Sequence, residues 1–248
     1  MVDARQVAYL QALGVDVYVP RGTPALTAAA APRPESAPRE VPAGRATPAS
    51  ADENLDWNEL RAAVAACQRC ELHAARTQTV FGVGNPQARW MFIGEAPGAE
   101  EDKQGEPFVG RAGQLLTSMI RALGLRREDV FIANVLKCRP PGNRDPRPAE
   151  AASCRSYLER QLALVNPTLV VAVGRIAAQG LLATETPLAK LRGKVHACGA
   201  RAWPLVVTYH PAYLLRSPGE KRKAWQDLLY AKHVVARLEQ ESAGGGRA

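Results

Sequence analysis

Cysteine is the residue whose spacing says most about chemistry in this chain. Cys67 and Cys70 form a CxxC pair, and Cys138 and Cys154 follow with fifteen residues between them. A CxxC pair puts two sulfurs on one turn, and four thiolates are the donor set of both structural zinc and iron–sulfur clusters. The spacing does not choose between those two, and the plainer alternative is a set of ordinary buried cysteines. The fifth, Cys198, stands apart and reads as a core or surface side chain.

Two loops carry the other reactive residues. The first is Gly94-Glu95-Ala96-Pro97-Gly98-Ala99, followed by the acids Glu100, Glu101 and Asp102 and then by Phe108. Glycine and proline there predict a tight turn whose backbone N–H groups face a ligand. The bland alternative is a solvated acidic turn. Carboxylates beside a nucleic-acid surface would be repelled by phosphate, so in that setting they point to a base or to a sugar cation. The second loop is Tyr209-His210-Pro211-Ala212-Tyr213-Leu214-Leu215-Arg216. His210 is the candidate acid or hydrogen-bond donor, held by the proline after it. Leu214 and Leu215, flanked by Arg216 and the run Lys221-Arg222-Lys223, suit an apolar wedge between bases with cations on the phosphates. The alternative is that the leucines begin the core face of the next helix.

Strands must hold these loops. Four short apolar runs, 90–93, 130–133, 169–173 and 205–208, have the near-continuous character of strands buried on both faces. Helical spacing separates them. Residues 55–66 predict a helix, Leu115, Leu116, Met119, Ile120 and Leu123 share one helix face, and residues 157–165 and 176–182 read similarly. Trp225, Leu228, Leu229, Val235 and Leu238 mark a closing helix. Strands alternating with helices predict an α/β fold with a parallel sheet covered on both sides. Ligands in such folds bind at the carboxyl ends of the strands, here the loops starting at Gly94, Asn134, Gly174 and Tyr209.

The rest of the chain divides by composition. Residues 1–20 form a short segment of unknown role, and 21–53 are an Ala/Pro-rich linker too poor in large apolar side chains to offset its ordering entropy. Residues 54–248 form the folded domain. Residues 1–52 hold five arginines and five acids, so the net charge of +8 falls entirely on the remainder, with 27 basic and 19 acidic residues. A compact basic domain suits a polyanion such as nucleic acid, with solubility alone as the other explanation. No apolar run approaches the roughly 18 residues of a membrane span, and the start lacks a secretory pattern. A cytoplasmic protein without a membrane partner is expected.

Taken together the motifs resemble the family 4 uracil-DNA glycosylases. The resemblance runs from about Leu55 to Leu238. It takes in the Gly-Glu-Ala-Pro-Gly turn, residues 107–113 (Pro-Phe-Val-Gly-Arg-Ala-Gly), residues 134–141 (Asn-Val-Leu-Lys-Cys-Arg-Pro-Pro) and residues 210–216. It implies a three-layer α/β/α fold around a four-stranded parallel sheet, and a [4Fe–4S] cluster on Cys67, Cys70, Cys138 and Cys154. It implies hydrolysis of the N-glycosidic bond of a flipped deoxyuridine in DNA. On that reading Phe108 stacks on the uracil, Asn134 reads its O4/N3 edge, Glu101 crowds C5, and Gly94 and Ala96 line the pocket. His210 donates to O2, and Leu214, with Leu215 as second choice, fills the emptied stack beside the phosphate-binding Arg216. Arg139, Arg144 and Arg147, in a loop 139–153 clamped by Cys138 and Cys154, are further phosphate contacts.

One position departs from the superfamily's better-known members, which have a water-activating Asp where this chain has Ala96. Glu95 or Asn143 is then left to position the water. Three rival readings stand beside this one: a covalent uracil-trapping relative, a non-catalytic zinc module that binds nucleic acid, and a domain serving a larger repair assembly. The first carries a His-containing insertion that residues 139–153 lack. A monomer is expected, with residues 1–20 as the possible contact for a repair or replication protein.

Overall fold

Side chains of the apolar runs alternate between two cores, which is why the runs are continuous. The structure, a computed structural model, describes residues 52–244, with side chains to residue 241. The expected segment 1–20 and nearly all of the expected linker lie outside the described residues.

The runs become β2 (Trp90–Gly94), β3 (Phe131–Asn134), β4 (Leu169–Val173) and β6 (Trp203–Thr208), which pair in parallel in the order β3-β2-β4-β6. Two short antiparallel strands extend the edges: β1 (Val83–Gly84) beside β3 and β5 (His196–Cys198) beside β6. The central four-stranded parallel sheet is as expected, and the full sheet has six strands. Met91, Ile93, Phe131 and Val170 point into one core, and Trp90, Phe92, Ile132 and Val171 into the other. Period-two alternation with both faces buried gives three layers.

The first core packs against α1 (Trp57–Ala65), α4 (Pro148–Val165) and α5 (Arg175–Leu182). The second packs against α3 (Arg111–Ala122) and two helices after β6, α7 (Pro211–Arg216) and α8 (Lys221–Gly244). Two short helices, α2 (Ala99–Gln104) and α6 (Leu188–Leu191), complete the set. Because β3 and β4 lie on opposite sides of β2, the strand order reverses there, and a crevice opens at the carboxyl ends.

Four expectations change. The folded unit reaches back at least to Asp52, which is 2% exposed and receives Arg69 at 2.5 and 2.8 Å and Ser156 at 2.6 Å, so the linker cannot extend to residue 53. The loop 139–153 ends early: Pro148 starts α4, so Cys154 sits two turns into a helix. The three acids belong to α2 rather than to a solvated turn. Residues 211–216 are helical, with Pro211 at the first turn, where its missing N–H costs nothing.

That last change decides the wedge. Consecutive helical residues point about 100° apart. Leu214 therefore enters the second core at 1% exposure, while Leu215 is 37% exposed. Leu214 is a packing residue, and only Leu215 is available to a partner. Leu214→Ala is expected to cost about 2–5 kcal/mol of stability, seen as a fall in Tm. Leu215→Ala should leave Tm nearly unchanged and slow uracil release from duplex more than from single-stranded DNA.

Candidate functional site

All four parallel strands send their carboxyl ends into one open cavity of about 720 Å³. β2 contributes the turn from Glu95 to Gly98, β3 gives Asn134, β4 leads to Gly174 and Arg175, and β6 leads to Tyr209 and His210. Glu101, Phe108, Asn143 and Arg216 also line it. Leu214, Leu215 and the expected pocket residue Gly94 do not.

Gly94 is required by a close approach. A Cβ there would stand 2.5 Å from both the Asn134 Oδ1 and the Phe108 ring. Those two side chains therefore meet over the bare backbone at the end of β2. Asn134 is 2% exposed, and its Oδ1 is buried without a hydrogen-bond partner among the described residues. An unsatisfied buried amide oxygen costs free energy unless a ligand completes it.

Phe108 has φ 56, a conformation that non-glycine residues avoid. Its turn is held from three sides. Glu101 Oε1 accepts from the N–H groups of Val109 (2.9 Å) and Gly110 (3.1 Å), Arg127 donates to the Pro107 carbonyl at 2.6 Å, and a Cβ on Gly113 would fall 1.7 Å from the Phe108 carbonyl oxygen. Glu101 is thus a builder of the Phe108 turn, and its carboxylate is already engaged by backbone. Its neighbours are engaged too: Asp102 accepts from the Thr77 N–H, and Glu100 pairs with Lys103.

His210 caps α7, and its Nδ1 accepts from the Ala212 N–H at 3.2 Å. That bond leaves the proton on Nε2. Burial, with Arg216 adding to it and Glu101 opposing, pushes the imidazole pKa down to about 4. The ring is therefore a neutral donor at physiological pH. It lies 5.7 Å from the Phe108 ring, centre to centre, at a tilt of 34°. A Cβ on Gly174, which has φ +100, would stand 2.9 Å from the His210 Cβ, so a side chain there would collide.

Glu95 has no ion-pair partner among the described residues and lines the cavity beside the Asp145–Arg175 pair (2.7 Å). Burial and, after it, the Asp145 carboxylate raise its pKa to about 7 against the opposing Arg175. The N–H groups of Glu95 and Ala96 have no hydrogen-bond partner among the described residues. Asn143, at φ 56, lines the same cavity, but its Oδ1 already accepts from Arg139 Nε at 2.8 Å. Two expected phosphate contacts are committed elsewhere: Arg144 forms a two-pronged bond with Glu150 (2.9 and 2.5 Å), and Arg147 pairs with Glu71 at 3.2 Å. No carboxylate among the described residues pairs with Arg216.

The four cysteines come together as expected. Cys67, Cys70, Cys138 and Cys154 line one small cavity with Arg76 and Lys137. Arg76 donates to the Cys138 sulfur at 3.1 Å, and the buried Lys137 ammonium is held by the Asn134 carbonyl (2.8 Å) and Gln161 (2.6 Å). Among the described residues no three His, Cys, Asp or Glu converge closely enough for one metal ion. Four thiols lining one small cavity beside two cations are a donor set for a four-thiolate metal group. Cys198 is buried in β5, away from this group.

Sequence reasoning missed a second set of residues at the rim. Tyr209 and Tyr213 stack with ring centres 5.3 Å apart, and Arg192 from the end of α6 lies over Tyr209. The spacing of Tyr209 and Tyr213 would have revealed the pair only if α7 had been expected as a helix.

The family model described as the uracil DNA glycosylase superfamily matches residues 81–229. The chain is 47% identical over 174 residues to a type-4 uracil-DNA glycosylase of Archaeoglobus fulgidus, spanning 67% of this chain and 85% of that relative. It is 43% identical to one from Thermotoga maritima, over 69% of this chain and 90% of the relative. It is 42% identical to one from Sulfurisphaera tokodaii, over 68% and 80%.

Proposed function

The chain belongs to the type-4 uracil-DNA glycosylases, and we propose that the cavity at the carboxyl ends of its sheet is where it excises uracil from DNA. The observation that carries this is the orphaned Asn134 Oδ1, buried against Gly94 beside Phe108 in the lining of the cavity. A flipped pyrimidine stacks on Phe108, and the amide of Asn134 pairs with its O4/N3 edge. Cytosine presents the opposite donor pattern at that edge and leaves the amide mismatched. A site built to hydrogen-bond its substrate rejects such an analogue strongly.

Cleavage breaks the bond between C1′ and the base nitrogen N1, and the electron pair leaves with the base. Negative charge then gathers on O2, where His210 Nε2–H and the N–H groups of Glu95 and Ala96 supply fixed donors. The sugar becomes a cation, and a water adds to C1′ as Glu95 takes its proton. Glu95 thus stands in for the superfamily's Asp, and Asn143, with its carbonyl oxygen engaged, donates to that water from its amide. Arg216 holds phosphate and Leu215 enters the stack.

Cys67, Cys70, Cys138 and Cys154 would hold the [4Fe–4S] cluster, with Arg76 and Lys137 offsetting its charge. The bound group supplies a cross-link between the segment after α1, the exit of β3 and α4. Lys137 carries that rigidity to the substrate site, since it holds the Asn134 carbonyl. Uracil-containing DNA is the partner, and the protein acts as a cytoplasmic monomer.

The test is incubation with oligonucleotides carrying uracil, thymine or cytosine at one position, scored for abasic sites and free base. Release of uracil alone supports the reading. Covalent trapping without turnover, or no release at all, overturns it. Iron and sulfide analysis with a visible spectrum of the same sample tests the cluster, and colourless protein containing zinc would refute it.

A further inference from the structure

We propose that Tyr213, backed by Tyr209 and Arg192, is a stacking subsite for the base next to the excised uracil. This rests on the glycosylase reading and adds a contact to it.

Three flat groups follow one another at the cavity rim. The Arg192 guanidinium carbon lies 4.3 Å from the centre of the Tyr209 ring. The Tyr209 and Tyr213 rings lie 5.3 Å apart at 23°. The last of the three, Tyr213, is 37% exposed. The first is immobilised. Arg192 donates to both oxygens of Asp227 (2.7 and 2.9 Å), to the Lys223 carbonyl (2.9 Å) and to the Tyr209 hydroxyl (3.1 Å). Asp227 is itself buried and also receives the Thr208 hydroxyl at 3.0 Å.

A buried ion pair of this kind is poor evidence for stability, because a well-packed apolar pair does as well. What it adds here is a fixed orientation for a cation lying on an aromatic ring. That fixed face would hold Tyr209, and through it Tyr213, in one plane without the entropy cost of ordering them on binding.

Position supplies the ligand. Tyr213 follows His210 by three residues and precedes Arg216 by three, so the two flanking residues sit on its side of α7. Both Tyr213 and Arg216 line the cavity. A stacking ring beside an unpaired cation is the combination with which proteins hold consecutive nucleotides of a single strand. Uracil enters the cavity from such a strand, and the base that reaches Tyr213 is its immediate neighbour. Stacking tolerates any base, so the subsite would strengthen binding without adding sequence preference.

The experiment uses single-stranded oligonucleotides with a non-cleavable deoxyuridine analogue and 2-aminopurine on its 5′ or 3′ side. Binding to the full-length protein should quench the fluorescence on one side, in the parent and in Tyr213→Phe but not in Tyr213→Ala. Tyr213→Ala should weaken binding by about tenfold. It should have no effect when the flanking base on that side is replaced by an abasic spacer. Quenching that survives Tyr213→Ala, or an equal loss of affinity with and without the flanking base, would overturn the subsite. A parent protein that releases uracil normally but shows either result would fail this proposal alone. Failure to release uracil would instead fail the glycosylase reading.

Discussion

Replacing His210 with alanine is expected to slow uracil release by about 100-fold or more. The loss follows from what the imidazole offers the leaving group. Its Nδ1 is occupied by the Ala212 N–H, so Nε2 carries a proton that can point only outward from the helix cap. A preorganised donor aimed at developing negative charge contributes roughly 3–4 kcal/mol. Gly174 has no side chain where His210 passes, so the ring's position is set by backbone on one side and by Phe108 on the other. Binding should change less than rate, because charge on O2 appears mainly in the transition state. The measurement is single-turnover release from a uracil oligonucleotide, with binding to a non-cleavable analogue as the control. Near-normal turnover would remove His210 from the chemistry. The parent protein should show no change of rate near pH 6.5 from this ring, since burial keeps it neutral down to about pH 4.

Why this histidine and not another was visible beforehand has a physical explanation. Residues 90–93 and 205–208 are apolar on successive positions because both faces of the sheet are buried, and that pattern needs no tertiary information. Once the strands are placed, the loops at their carboxyl ends are the places to look. The cysteine group was equally accessible, because its residue type and spacing have few other uses. What the sequence did not reveal is whatever depends on rotation about a short helix or on a side chain meeting distant backbone. Leu214 and Leu215 are chemically identical, and only the helix begun by Pro211 sends one inward and the other outward. Glu101 resembles its acidic neighbours until Val109 and Gly110 fold back onto it. β1 and β5, of two and three residues, are too short to show a period. Arg192 and Asp227 stand 35 positions apart, and no local pattern joins them. Orphaned Asn134 Oδ1 is a fact of packing, although its residue type was readable.

Glu95→Gln is the second large effect, and its size should depend on pH. As a base the carboxyl must be ionised, and burial with the nearby Asp145 carboxylate raises its pKa to about 7 against Arg175. Glu101, Asp145, His210, Tyr209, Tyr213, Arg144, Arg175 and Arg216 also line the cavity; Glu101 is held by backbone donors and Asp145 is paired with Arg175. Below pH 7 the parent's rate should therefore climb about tenfold per pH unit and level off above it. The Gln variant should lack this limb, with a loss of about 100-fold at pH 8 that nearly vanishes by pH 5. Stability should move the opposite way. Since the folded-state pKa exceeds the ordinary value of 4.5, the stabilising contribution of Glu95 is full below about pH 4.5 and is lost as pH rises through 7. Solvent reaches this side chain in part and screens the effect, so the Gln variant should gain a modest amount of Tm relative to the parent between pH 5 and pH 8. Rate and stability thus run in opposite directions with pH at one side chain: the desolvation that makes ionised Glu95 costly to the fold also places its pKa where it can take a proton from water. Rate–pH curves and thermal melts on the two proteins read both halves. A parent rate flat through pH 7, or a Gln variant that keeps the limb, would assign the water to another group.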